Sequence, residues 1–195
     1  MRYSCVTLSL SLIALLASCA TLQQSAQTVS DTGDAKSRQT VYTYHGRFTV
    51  RYQDQSRNSR TAYGNFNWYE NDQTITLKLL DPFNEVLAIV VAGSELASLE
   101  LPNERPQIAP SISELMRSTL GFLLPVKDLR YWLRPLASPD SHALTSTDSA
   151  NHLRRIDQDG WNIKYLAYTD APENRIKIIH LTQKALRLSI KLVLD

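Results

Sequence analysis

From residue 43 to the C-terminus, apolar side chains return at every second position in one segment after another, and this alternation constrains the fold more than any other feature. Phe48, Val50 and Tyr52 share one face of segment 44–52, while Arg47, Thr49 and Arg51 take the other. At the far end, Leu186, Leu188, Ile190, Leu192 and Leu194 alternate with Arg187, Ser189 and Lys191. A period of two buries one face of a strand and wets the other. Segments 60–69 (Phe66, Trp68) and 73–80 (Ile75, Leu77, Leu79) repeat the pattern and are joined by the turn-forming Glu70-Asn71-Asp72, which predicts a hairpin. Segments 153–157, 160–168 and 175–182 continue it, and 86–92, apolar at every position, reads as a strand covered on both sides. Consecutive strands joined by short turns pair antiparallel, so the expected fold is mainly β, a strongly curved sheet or open barrel.

Two helices are expected in the middle as the cover. After Pro110, Ser111 suits an N-cap with Glu114 three residues on, and Ile112, Leu115, Met116 and Leu120 follow helical spacing up to Gly121. Pro125 can start a second short helix, with Leu129, Trp132 and Leu133 on one face. Segment 135–149 is rich in Pro, Ser, Asp and Thr and reads as a loop, with one short strand around His142–Leu144.

The first residues have a different grammar. Arg2 is followed by the twelve-residue run Val6–Ala17, whose end overlaps the tetrapeptide Leu16-Ala17-Ser18-Cys19. A membrane-spanning helix needs about 20 apolar residues, so this is the h-region of an export signal. Its end resembles the lipobox of bacterial lipoproteins; the alternative is an ordinary secretory signal with a cysteine near its cleavage point. The expected organisation is a signal peptide over 1–18, a lipidated Cys19 with a flexible Ser/Thr/Gln/Asp-rich tether over 19–40, and a folded domain over 41–195. In enterobacterial lipoproteins an Asp in the second mature position favours inner-membrane retention, so by resemblance Ala20 points to the outer membrane.

Composition removes other classes. The chain has 195 residues, enough for one sizeable core, and its 21 basic against 19 acidic residues give a net charge of +2, too little for a nucleic-acid stripe. Its two cysteines, Cys5 and Cys19, both precede the folded part, and His45, His142, His152 and His180 are scattered, so no metal site assembles. There is no nucleophile elbow, phosphate-cradling loop or dinucleotide fingerprint, and Asp157 with Asp159 reads as solvated turn carboxylates beside Gly160. The expectation is neither an enzyme nor a cofactor binder.

The ordered set of short motifs carries a further signal. It runs from the lipobox through Gly46-Arg47-Phe48-Thr49-Val50-Arg51, Asn65-Phe66-Asn67-Trp68, Leu79-Leu80-Asp81-Pro82-Phe83-Asn84 and Gly121-Phe122-Leu123-Leu124-Pro125-Val126. It continues in Leu129-Arg130-Tyr131-Trp132-Leu133 and Gln158-Asp159-Gly160-Trp161-Asn162-Ile163-Lys164-Tyr165. This succession resembles the LolB family of outer-membrane lipoprotein receptors. The resemblance implies a half-open antiparallel β-barrel with a helical lid over an apolar cavity, anchored in the outer membrane and facing the periplasm. It implies a monomer that takes the acyl chains of client lipoproteins from the periplasmic carrier LolA and delivers them to phospholipid of the outer membrane's inner leaflet.

Two groups of site residues follow from the resemblance. Pro82 and Phe83 match a protruding loop implicated in membrane insertion, although on the residues alone Phe83 would be a folded-back core side chain, and Asn84 stands where relatives often have Gly. The cavity lining is expected from Phe48, Val50, Phe66, Trp68, Leu77, Leu79, Leu87, Ile89, Leu115, Leu120, Trp132, Tyr165, Leu188 and Ile190, each of which alone would equally be plain core. A lipid-anchored structural or interaction protein of envelope assembly is the alternative.

Overall fold

The computed structural model describes residues 40–54, 56–119 and 124–195. The signal, Cys19 and the tether, with Leu120 and Gly121, lie outside the described residues. The first half of the domain contributes strands β1 (Tyr42–Gln53), β2 (Ser59–Glu70), β3 (Ile75–Leu80), β4 (Val86–Ala92), β5 (Ala97–Glu100) and β6 (Gln107–Ala109). Helices α1 (Ile112–Thr119) and α2 (Val126–Trp132) follow. The second half adds β7 (Ala143–Thr147), β8 (Leu153–Gln158), β9 (Trp161–Tyr168), β10 (Ile176–Gln183) and β11 (Leu188–Leu194).

All eleven strands form one antiparallel sheet in the order β6-β5-β4-β3-β2-β1-β11-β10-β9-β8-β7. Each half is a meander of hairpins, and the last strand joins the first, with Phe48 opposite Leu192 and Val50 opposite Ile190. The order ends at β6 and β7, so the sheet stays open. Its alternation buries one face: Phe48, Val50, Phe66, Trp68, Ile163, Tyr165, Ile179, Leu181, Leu188 and Ile190 join Ile112, Leu115 and Met116 of α1 and Leu129 and Trp132 of α2 in one apolar cluster. Strands from both arms meet in that cluster, so the sheet curves around it.

Strand β4 departs from expectation. Only Ala88, Val90 and Ala92 are buried, whereas Leu87 is 44% exposed and Ile89 half-buried. Leu87 and Ile89 therefore do not line the interior. The cause is a register shift: Leu80 pairs with Val86 but Leu79 pairs with Ala88, leaving Leu87 as an extra residue. One inserted residue turns every following side chain to the opposite face, and in a run apolar throughout nothing in the composition marks the switch. Strands β5 and β6, of four and three residues, are additions to the expected strands, since segments this short display no period.

Close backbone approach explains Gly46. A Cβ placed there would meet the Val193 carbonyl oxygen at 2.1 Å, at the seam that joins β1 to β11. Gly46→Ala must push these strands apart and is expected to lower stability by about 1–3 kcal/mol, read from the denaturant midpoint; an unchanged midpoint would contradict this packing.

Candidate functional site

The concave side is lined by apolar side chains from both arms. Around a residual space of about 40 Å³ stand Phe48, Val50, Phe66, Trp68, Leu77, Leu79 and Ile190, all expected there, together with Leu124, Leu129, Leu181 and Leu192. Trp132, Tyr165, Leu115 and Leu188 are buried in the same cluster without bordering this space. The volume is far below the roughly 300–1,000 Å³ of ligand cavities. Among the described residues the interior thus lacks room for an acyl chain in this arrangement, and seating one there requires its cover to move.

That cover is α2, tied to the sheet on both sides. Toward the first arm, Glu70 is 1% exposed, accepts a hydrogen bond from Trp68 Nε1 at 3.1 Å, and pairs with the Arg130 guanidinium of α2 at 2.9 Å and that of Arg134 at 3.5 Å. Arg134 also lies over the Tyr42 ring, 4.4 Å from its centroid. Toward the second arm, Trp132 Nε1 donates to Gln158 Oε1 at 3.2 Å, and the buried Tyr165 hydroxyl donates to the Trp132 carbonyl at 2.8 Å. Burial raises the Tyr165 pKa, which keeps this phenol a donor. Gln158 is itself held by Ser138, accepting from its N–H and donating to its carbonyl. Sequence reading missed Glu70 and Gln158: the first passes for a turn residue, the second for a strand end. Their signal is a polar residue at an inward position of an alternating strand, where burial demands partners.

The β3–β4 turn is rigid and carries an exposed aromatic. Asp81 Oδ1 accepts from the Phe83 and Glu85 N–H groups at 2.7 and 2.8 Å, and Asp81 N–H donates to the Glu85 carbonyl at 2.9 Å. Asn84 adopts φ 68°, the left-handed region that favours glycine, and its Oδ1 accepts from Asn65 Nδ2 at 2.7 Å. Asn is the side chain that best tolerates this region after Gly, so the departure at Asn84 preserves the turn. Asn65, outward-facing on β2, is the anchor that sequence reading overlooked. Phe83 at the tip is 86% exposed, followed by exposed Val86 and Leu87.

The family model "Outer membrane lipoprotein LolB" matches residues 40–195, the whole sheet and both helices. The chain belongs to the LolB family. It is thus an outer-membrane lipoprotein, a receptor in lipoprotein localisation. Its LolB relatives include those of Ralstonia nicotianae, 36% identical over 93% of this chain and 91% of the relative, and Cupriavidus metallidurans, 35% identical over 83% of each. The LolB protein of Cupriavidus necator is 36% identical over 93% of this chain and 90% of its own. Among solved structures, a LolA superfamily protein from Nitrosomonas europaea aligns over 78% of this chain and 84% of its own, with 8% identity and a TM-score of 0.44.

On the convex face of this LolB chain, His180 is a titratable group with a pH consequence. His180 lies between Lys164 and Lys191 in the strand register, with Nε2 2.9 Å from Ser189 Oγ. Burial first, then Lys164, Lys191 and Arg51, hold its pKa below the ordinary 6.5. The unfolded chain therefore takes up the proton first as pH falls. The stability this histidine contributes is complete above about pH 6.5 and is lost as pH drops through that value toward the folded pKa. His180→Asn is expected to flatten the stability profile between about pH 7 and 5, followed by thermal melts; an unaltered slope would exclude this group as the cause.

Proposed function

We propose that this protein accepts acylated lipoproteins from the periplasmic carrier LolA, shelters their acyl chains on the concave apolar face, and passes them to the inner leaflet of the outer membrane. Transfer needs no covalent chemistry and no nucleotide, because each step moves apolar chains to a better refuge from water. The observation that carries this reading is Phe83, 86% exposed at the tip of a hydrogen-bonded turn beside an otherwise buried apolar interior. A large aromatic held out in solvent by a rigid turn suits contact with a bilayer, and Val86 with Leu87 extends that surface.

Loading begins with displacement of α2, since the space beneath it is too small for a chain. Residues 1–18 are removed as the signal, and Cys19 carries the acyl anchor, with 19–40 as the tether. The anchor raises the local concentration of the folded domain at the membrane. The reading is tested by offering the full-length protein a lipoprotein with a photoactivatable acyl chain. Adducts are expected on α2 and on the inward faces of β3 and β10. A protein serving only envelope architecture would yield none there.

A further inference from the structure

The convex face of the sheet carries cations that the interior does not use. The register sets Lys191 beside Thr49 and His180, His180 beside Lys164, and Lys164 beside Arg155, while Arg47 and Arg51 flank Thr49 along β1. Neighbouring strands lie about 4.8 Å apart, so the basic side chains form a row across the sheet. Arg155 is paired with Asp157; Arg47, Lys164 and Lys191 have no ion pair among the described residues. At Lys191 the row opens into a groove of about 540 Å³ bordered by Arg47, Thr49, Tyr63, Asn65, Lys191 and Pro82.

The position of Pro82 decides what this groove is for. It belongs to the turn that presents Phe83, and Asn65, on the groove wall, donates to that turn at Asn84. Two exposed cations therefore stand immediately behind the apolar tip, as phosphates stand immediately outside the acyl region of a bilayer. Tyr63, 63% exposed, adds a ring with a polar end, the side-chain type enriched at headgroup level. We propose that the groove seats the phosphate of a phospholipid headgroup, between the Arg47 guanidinium and the Lys191 ammonium, when the Phe83 turn enters the membrane. The guanidinium supplies a planar fork for two phosphate oxygens and the ammonium a point charge. A headgroup held this way fixes the depth and orientation of the turn. The proposal rests on reading that turn as the membrane-contacting element.

Tyr63→Trp places an indole in the groove, where it stands apart from the buried Trp68, Trp132 and Trp161. The full-length, lipid-anchored protein with this change is reconstituted into phosphatidylcholine vesicles containing phospholipid with a nitroxide on the headgroup. Quenching is expected to be several-fold stronger than in the same protein with Arg47→Gln and Lys191→Gln added. Both side chains are exposed, so the melting temperature should not move. Millimolar inorganic phosphate should leave the quenching intact, because the bilayer presents its headgroups at high effective concentration. Equal quenching with and without the two cations overturns the proposal. So does reversal by inorganic phosphate, which would assign the groove to free anions. A Phe83→Trp reporter with acyl-brominated phospholipid separates the two readings. If that reporter is quenched while the headgroup signal ignores the cations, only the groove assignment falls; if it is not quenched, the turn assignment falls and takes the groove with it.

Discussion

Phe83→Glu is expected to leave the fold and lipoprotein acceptance intact while cutting delivery into vesicles by roughly 10- to 100-fold. Phe83 is 86% exposed, so its loss removes almost no folded-state contact, and surface substitutions of this kind stay within about 0.5 kcal/mol. Placing a phenyl group in an apolar phase is worth about 1.5–3 kcal/mol, and tenfold corresponds to about 1.4 kcal/mol. A carboxylate forfeits that gain and resists entry on its own account. The backbone N–H groups that hold the turn donate to Asp81, not to Phe83, so the tip changes its chemistry while keeping its position. The measurement is protease-resistant incorporation of a labelled lipoprotein into vesicles, beside the amount bound to the protein. Unchanged incorporation would remove Phe83 from the delivery step.

Glu70→Ala is expected to lower stability by about 2–3 kcal/mol and to speed loading. The substitution leaves the Trp68 indole N–H buried without a partner, which costs about 1–3 kcal/mol. It also unties Arg130 and Arg134, both of which retain access to water, so the penalty for stranding their charge is less than in a sealed core. On the proposed reading, in which loading displaces α2, weakening its tie to β2 raises the population of the open form. Acceptance of a lipoprotein from the carrier should be faster than in the unmodified protein, although the melting temperature falls. If loading slows in step with the loss of stability, α2 is a fixed wall and not a cover.

The two ends of the sequence were the most legible. In β1 and β11 most inward residues are apolar and most outward ones cationic or polar, Val193 excepted, so strand and face follow from period two. Leu186, expected on the buried face, instead falls in the turn before β11 and is exposed, and the pairing of β1 with β11 leaves no local mark. The tip of the β3–β4 turn needed the family pattern, because an aromatic after Pro82 has no sequence mark that says whether it folds back. Strand β4 was misread in its facing because the inserted residue at Leu87 is set by pairing with β3, a long-range choice that a uniformly apolar run does not record. Glu70 was passed over for the opposite reason: its local setting is a turn, and its partners Arg130 and Arg134 are about 60 residues away in the chain. Asn65 and Asn84 likewise gain meaning only from each other, across the β2–β3 hairpin. Local periodicity thus encodes the sheet, while the features that close its interior and aim its tip are contacts between distant segments.

The most direct test of the account follows a fluorescent lipoprotein loaded on the carrier LolA as it meets the full-length protein anchored in vesicles, with no nucleotide present. The account predicts that the label moves first to this protein and then into the bilayer, with the second step alone abolished by Phe83→Glu. A label that stays on the carrier, or reaches the bilayer equally fast without this protein, would contradict it.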